Sequence, residues 1–217
     1  MIRLENIRYR YPTGDFSLHC RELHLGAGDT LLIFGANGSG KSTLMQIVAG
    51  IIRPQAGQVF LGEYEVTKLS NSDRSLLRLL RIGYIWQNFA LLPHLTVLDN
   101  VLLPLRLGPG PGVSRQQRER ALQLLTALNL AAYTRRYPEH LSRGEQQRVA
   151  ICRALVSEPH YLLADEPTAS LDSDHRDMVL ALLRDYTSEY QCPLLLATHD
   201  PDMRGQFQQQ LDMRELR

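Results

Sequence analysis

The sequence predicts an α/β fold: a mostly parallel sheet around a phosphate-binding loop, preceded by an antiparallel β unit and interrupted by an inserted helical unit. Three observations predict it. Gly35-Ala36-Asn37-Gly38-Ser39-Gly40-Lys41-Ser42-Thr43 satisfies G-x-x-x-x-G-K-[ST] at every fixed position. Short apolar runs, among them Thr30 to Phe34, Tyr161 to Ala164 and Pro193 to Thr198, have the composition of strands buried on both faces. Between residues 87 and 157 the pattern changes to a succession of capped helices.

The N-terminal elements come first. Ile2 to Tyr11 alternates loosely, and Phe16 to Cys20 alternates again after the turn Pro12-Thr13-Gly14-Asp15, which predicts an antiparallel hairpin. His19 and His24 read as strand residues. Tyr11, at a strand end before a turn, has two readings: a ring offered to an adenine, or an ordinary strand aromatic. The next strand, Thr30 to Phe34, leads into the glycine-rich loop, and Leu44 to Gly50 reads as a helix stopped by a glycine.

Strand, loop and helix thus stand in the order that anion binding needs. Glycines let the backbone wrap an anion while N–H groups and the positive helix end point at it. Lys41 supplies charge for the β- and γ-phosphates, and the Ser42 hydroxyl is placed to ligate Mg²⁺.

Gly57 to Gly62 predicts a short strand, and Asn71-Ser72-Asp73 offers caps for a helix whose Arg74, Arg78 and Arg81 read as a solvated face. Ile82 to Trp86 predicts a buried strand with Gln87 at its end. Ligands of open α/β sheets gather beyond the carboxyl ends of strands, so Gln87 is either a site residue or a structural glutamine. The apolar run Phe89 to Leu95 has no clean period and is read as packing or as a docking surface. Thr96 caps a helix from Val97 to Leu107, Gly108-Pro109-Gly110-Pro111-Gly112 breaks it, and Ser114 with Gln117 opens another helix to about Asn129.

Ser142 and Glu145 form a second capping box before the helix through Ala154. This is a well-capped helix, or a second anion site in which the Ser142 hydroxyl, the Gly144 backbone and the helix N-terminus serve a phosphate. The strand from Tyr161 ends in Asp165 and Glu166, where carboxylates serving a Mg-nucleotide belong. Ser170-Leu171-Asp172 leads into a helix over about Asp174 to Tyr190, and the last core strand delivers His199 to the same edge.

At 217 residues the chain suits one α/β domain with a small attached subdomain. A formal charge of +1 with mixed signs leaves no basic field for a nucleic-acid partner. Cys20, Cys152 and Cys192 are odd in number and lack metal-ligand spacing, as expected of reduced thiols in a cytosolic protein. No apolar run approaches the roughly 20 residues of a membrane span, and the first residues open a strand pattern rather than a signal peptide.

In this arrangement the chain resembles the nucleotide-binding subunit of ATP-binding-cassette (ABC) transporters over almost its whole length. The resemblance rests on Gly35 to Thr43 (Walker A), Gln87 (Q-loop), Leu141-Ser142-Arg143-Gly144-Glu145 (signature), Asp165 and Glu166 (Walker B), Ser170-Leu171-Asp172 (D-loop) and His199 (switch), in family order. Gln87 to Val101 is similar to the branch of lipoprotein-release, MacB-type and FtsE-type ATPases.

The resemblance implies the ABC ATPase fold over residues 1–217. An α/β core with its N-terminal β subdomain would occupy 1–86 and 158–217, and a helical subdomain 87–157. It implies ATP and Mg²⁺ as cofactors, with Glu166, His199 and Lys41 catalytic and Ser42, Gln87 and Asp165 around the metal. Nucleotide contacts would come from Tyr11, Gly35, Asn37, Gly38, Ser39, Gly40, Lys41, Ser42, Thr43 and Gln87. Ser142, Gly144, Glu145 and Asp172 would close over the ATP of a second copy or a related cassette.

A membrane-spanning permease would be the other partner, with this chain cytoplasmic and peripheral on the inner face of the membrane. The alternative is a regulatory ATPase that signals to a membrane partner without moving a substrate. Soluble ABC proteins of repair or translation usually carry two cassettes or a long coiled-coil insertion, which this chain lacks, and no Asn-Lys-x-Asp segment exists to read guanine.

Arg143 and Glu145 depart from the usual LSGGQ, which has glycine and glutamine there. The Arg143 side chain is expected to point away from the phosphate, on a backbone without positive φ. Since the sequence ends soon after Met213, the accessory regulatory domain of some importer ATPases is not expected.

Overall fold

The computed structural model describes residues 1–13 and 16–216. Two sheets form. One contains β1 (Ile2–Arg10), β2 (Ser17–Leu25), β4 (Ala56–Leu61) and β5 (Tyr64–Glu65), all antiparallel in the order β2-β1-β4-β5. The other is parallel and contains β3 (Thr30–Phe34), β6 (Ile82–Ile85), β7 (Tyr161–Asp165), β8 (Leu194–Thr198) and β9 (Gln209–Asp212), in the order β6-β7-β8-β3-β9. The hairpin of the first twenty residues is present, although Gly14 and Asp15 of its expected turn lie outside the described residues.

The apolar runs of the parallel strands are continuous because both sheet faces are covered. Alternate residues go to different cores: Leu32, Leu162, Ala164, Leu194 and Leu196 pack with the helical part, while Leu31, Ile33, Leu163, Leu195 and Ala197 pack toward the antiparallel sheet. Helix α1 (Lys41–Val48) joins the second core through Leu44, Met45, Ile47 and Val48, each at most 1% exposed. Burying such side chains contributes roughly 1.5–3 kcal/mol apiece, so the helix behind the loop is firmly seated. It ends as expected at Gly50, whose φ of 64° allows Ile51 N–H to bond back to the Gln46 carbonyl at 2.8 Å.

Between β6 and β7 the chain inserts α3 (Val97–Leu107), α4 (Arg115–Ala127) and α5 (Arg143–Leu155). Thr96, Ser114 and Ser142 cap them, and the last two make complete capping boxes. Of the Phe89 to Leu95 run, Phe89 is buried and Leu91 packs on the helical core, whereas Pro93 and His94 are exposed. Asn100, fully buried, accepts from Leu92 N–H at 2.8 Å and donates to the carbonyls of Leu92, Leu95 and Thr96.

The structure corrects three expectations. Helix α2 (Asn71–Arg81) is capped by Ser70, whose hydroxyl accepts from Asp73 N–H, one residue before the predicted cap. Arg74 is 8% exposed rather than solvated, and Arg78 donates to the Gly50 carbonyl at 3.0 Å, satisfying the C-terminal end of α1. The last core strand is β9, paired parallel to β3, rather than the strand ending at Thr198. Helix α6 (Ser173–Tyr190) lies between β7 and β8. The three thiols are free and buried, and burial pushes Cys20 up to about 11.

Candidate nucleotide-binding and hydrolysis site

The loop between β3 and α1 crosses the carboxyl end of the parallel sheet. Gly40 has a φ of 101°, which favours glycine, and a β-carbon there would lie 2.2 Å from Phe16 Cζ and push the tip of that ring aside. Gly40 is also the N-cap of α1 and offers no side-chain cap, which leaves the first N–H groups of that helix for a ligand.

A cavity of about 410 Å³ opens over this loop. It brings together Tyr11, Asn37, Gly38, Ser39, Gly40, Lys41, Ser42, Thr43, Gln87, Asp165 and Glu166, residues from four separate stretches of the expected site. Lys41 is 6% exposed, and its Nζ donates to the Gly35 carbonyl at 2.7 Å and the Ala36 carbonyl at 3.3 Å. The same ammonium lies 3.6 Å from Glu166 Oε1, so it stands between the loop and the acid.

Strand register places the acids. Asp165 pairs with Ala197 across β7 and β8, so the next residues, Glu166 and Thr198, emerge side by side at the strand tips. Glu166 is 3% exposed and has a φ of 51°. Thr198 Oγ1 donates to Glu166 Oε2 at 3.1 Å, and His199 Nδ1 bonds to Oε1 at 2.7 Å. The carboxylate that faces the loop is therefore held on both oxygens.

Asp165 Oδ1 is buried with no hydrogen-bond partner among the described residues, as is Ser39 Oγ. Buried polar atoms are nearly always paired, and two unpaired oxygens beside one cavity fit a ligand that supplies a cation and phosphate groups. Burial raises the Asp165 carboxyl above its ordinary value, and the Ser42 hydroxyl bonded to it works in the opposite direction. A serine hydroxyl beside an aspartate is an oxygen donor set suited to a hard divalent cation.

Tyr11 forms the cavity's other end. Its hydroxyl is 3.1 Å from Thr43 Oγ1, and its ring lies 5.0 Å from that of Tyr9 and 5.9 Å from that of Phe16. Phe16 lines the cavity as well and was not legible as a site residue, because only the closure of the hairpin brings it over Gly40.

Ser142, Gly144, Glu145 and Asp172 do not line this cavity. Ser142 Oγ accepts from Glu145 N–H at 3.3 Å and Glu145 Oε2 accepts from Ser142 N–H at 2.6 Å, so the Glu145 carboxylate is engaged in its own helix cap. A β-carbon at Gly144 would lie 3.0 Å from the Ser170 carbonyl, which explains the glycine by close packing against the segment before Asp172. Asp172 caps α6, accepting from His175 N–H at 3.0 Å. Arg143 has no positive φ, and its guanidinium sits 6.0 Å above the Phe89 ring centroid.

The sequence profile of the ABC transporter family matches residues 18–169, which include the loop, the signature and both acids. This chain belongs to the ABC transporter family. It is an ATP-binding, ATP-hydrolysing subunit of that family. It is 40% identical over 207 residues to the macrolide export ATP-binding/permease protein MacB of Syntrophobacter fumaroxidans, covering 94% of this chain and 29% of that protein. It is 38% identical over 217 residues to the lipoprotein-releasing system ATP-binding protein LolD of Paramagnetospirillum magneticum, covering 99% and 95% of the two chains. Both names agree with the branch expected from Gln87 to Val101.

Among solved structures, the dimeric ATP-binding cassette MJ0796 in a post-hydrolysis state bound to ADP and Pi superposes with a TM-score of 0.90 at 32% identity. It covers 98% of this chain and 94% of that one.

Proposed function

We propose that this ABC ATPase hydrolyses ATP between two cassettes arranged head to tail and drives a separate membrane-spanning partner. The observation that carries the proposal is Glu166: a buried carboxylate at a strand tip, fixed by Thr198 and His199, beside the phosphate loop and Lys41. A carboxylate so placed orients a water toward the γ-phosphate and accepts its proton. Lys41 offsets charge on the phosphates, and His199, with Nδ1 bonded to Glu166, presents its other ring nitrogen to the γ-phosphate. Tyr11 and Phe16 supply ring faces for the adenine.

Ser42, Asp165 and Gln87 would hold Mg²⁺, which neutralises phosphate charge when bound.

Ser142 and Gly144 act on the ATP of the other copy. Ser142 Oγ accepts the bond from Glu145 N–H and so keeps its own proton to donate to a γ-phosphate oxygen. Loss of that phosphate removes one binding face and reopens the pair. The dimeric relative with 94% of its chain covered supports this arrangement.

The membrane partner is supported by the family and by a groove of about 290 Å³ beside Gln87, lined by Arg78, Tyr84, Trp86, Pro104 and Arg153. No helix among the described residues is long and apolar enough to cross a membrane. We place the chain on the cytoplasmic face through that partner.

Replacing Glu166 tests the core of the proposal. Glu166→Gln is expected to retain ATP binding, to abolish turnover and to accumulate an ATP-bound dimer in gel filtration with light scattering. Undiminished phosphate release by this variant removes Glu166 from the chemistry.

A further inference from the structure

Helix α5 does more than present Ser142 and Gly144, because its buried side chains grip two other parts of the same subunit. Gln147, 1% exposed, donates from Nε2 to the Glu166 carbonyl at 2.7 Å and accepts from Ser170 N–H at 3.1 Å. Further along, Arg153 donates from Nη1 to the Ala90 carbonyl at 2.6 Å and from Nη2 to the Phe89 carbonyl. Three of the four gripped residues are left-handed: Glu166 at φ 51°, Phe89 at 61° and Ala90 at 49°. That conformation is unfavourable for a residue with a β-carbon and persists only where the surroundings impose it.

Arg153 is the stronger of the two grips. It is 8% exposed, and among the described residues it forms no ion pair with a carboxylate; its two bonds go to consecutive backbone carbonyls. Burial alone brings its guanidinium down to about 10, so it remains charged at neutral pH. A planar fork can reach two adjacent carbonyls at once, which an ammonium cannot do with the same geometry. Phe89 is held from a second side by Arg143, the first residue of α5, whose guanidinium lies over its ring. The segment that follows Gln87 is thus attached to α5 at both ends of the helix.

We propose that Arg153 is a positioning residue: by holding Phe89 and Ala90 left-handed it locks the segment after Gln87 to the helix that presents Ser142 and Gly144. The two then move as one body when the cassettes close on ATP. The helix between Ser142 and Arg153 spans three turns, roughly 16 Å, and transmits a displacement of one end to the other. A contact on Phe89 or Ala90 from the neighbouring groove is thereby coupled to the second cassette's γ-phosphate. This inference rests on the head-to-tail dimer proposed above.

The test measures ATP-dependent dimerisation by analytical ultracentrifugation in a Glu166→Gln parent, alongside binding of a fluorescent ATP analogue to the monomer. Arg153→Met is expected to leave monomer affinity within about twofold, since no cradle contact changes. It should raise the concentration for half-dimerisation about tenfold or more, the equivalent of losing one charge-assisted hydrogen bond. Arg153→Lys, kept as the milder variant in case Arg153→Met does not fold, should fall between. Ala90 is exposed, so Ala90→Gly removes the left-handed penalty without opening a cavity. It should recover part of the loss in either Arg153 variant and change the parent little.

Unchanged dimerisation in the Arg153 variants overturns the inference, and so does a loss that Ala90→Gly does not recover. A parent that stays monomeric with ATP removes the dimer reading and the inference with it. A parent that dimerises beside unaffected Arg153 variants removes the inference alone.

Discussion

The phosphate loop and the signature segment both end at a helix N-terminus, yet they are built in opposite ways. Helix α1 starts at Gly40 with no side-chain cap, and its first N–H groups face a cavity. Helix α5 starts at Ser142 with a complete capping box, in which Ser142 and Glu145 satisfy each other's backbone N–H groups. The first terminus needs an anion to complete it, whereas the second is already stable by itself. A self-capped helix can wait, exposed, until another surface brings a phosphate, while the glycine loop forms the primary site. In the proposed dimer, this difference gives binding to one region and closure to the other.

Removing Lys41 should have the larger effect. Lys41→Met deletes a buried ammonium aimed at the loop, and charge-assisted bonds of this kind are worth about 1.5–3 kcal/mol. Nucleotide affinity of the isolated subunit is expected to fall roughly 10- to 100-fold by fluorescence titration, with hydrolysis lost. Affinity within twofold of the parent would mean that the loop does not need its lysine.

A smaller effect is expected at Glu145. The Ser142 backbone and hydroxyl hold its carboxyl below the usual range against the opposing effect of burial, so it stays ionised at neutral pH. That charge favours the helix terminus but repels an arriving phosphate. Glu145→Gln keeps a side chain able to complete the capping box. It is expected to lower the ATP concentration for half-maximal hydrolysis a few fold, while Tm moves by no more than a few degrees. A rise in that concentration would show that the carboxylate contributes to closure directly.

Most of this contrast was legible in the sequence, because the features that carry it are local. The loop motif spans eight consecutive residues, and the boxes Ser114/Gln117 and Ser142/Glu145 each span four. Strand tips were legible too, since apolar runs end where Gln87, Asp165 and His199 begin. Long-range pairing was not. β9 is short, polar and glutamine-rich, and only its pairing with β3 makes it a strand. Arg78 resembled a surface residue because its partners, the carbonyls ending α1, lie 28 and 29 positions away. Phe16 gained its place over Gly40 only through hairpin closure, and Gln147 and Arg153 act on backbone carbonyls, which leave no side-chain signal in a sequence. Glu145 was expected to contact nucleotide, whereas within this subunit its carboxylate engages Ser142.

The central claim is that one ATP is shared by the loop of one copy and the signature of another, and a mixing experiment tests it most directly. Lys41→Met disables the loop, and Ser142→Phe places a ring at an exposed signature position without burying it in the fold. Each variant alone is expected to be inactive. Mixed in equal amounts, they form heterodimers in which an intact loop faces an intact signature, and ATP hydrolysis should return to about a quarter of the parent rate, since random pairing makes half the dimers heterodimers with one working site of two. No recovery at concentrations where the Glu166→Gln variant dimerises would contradict the shared site.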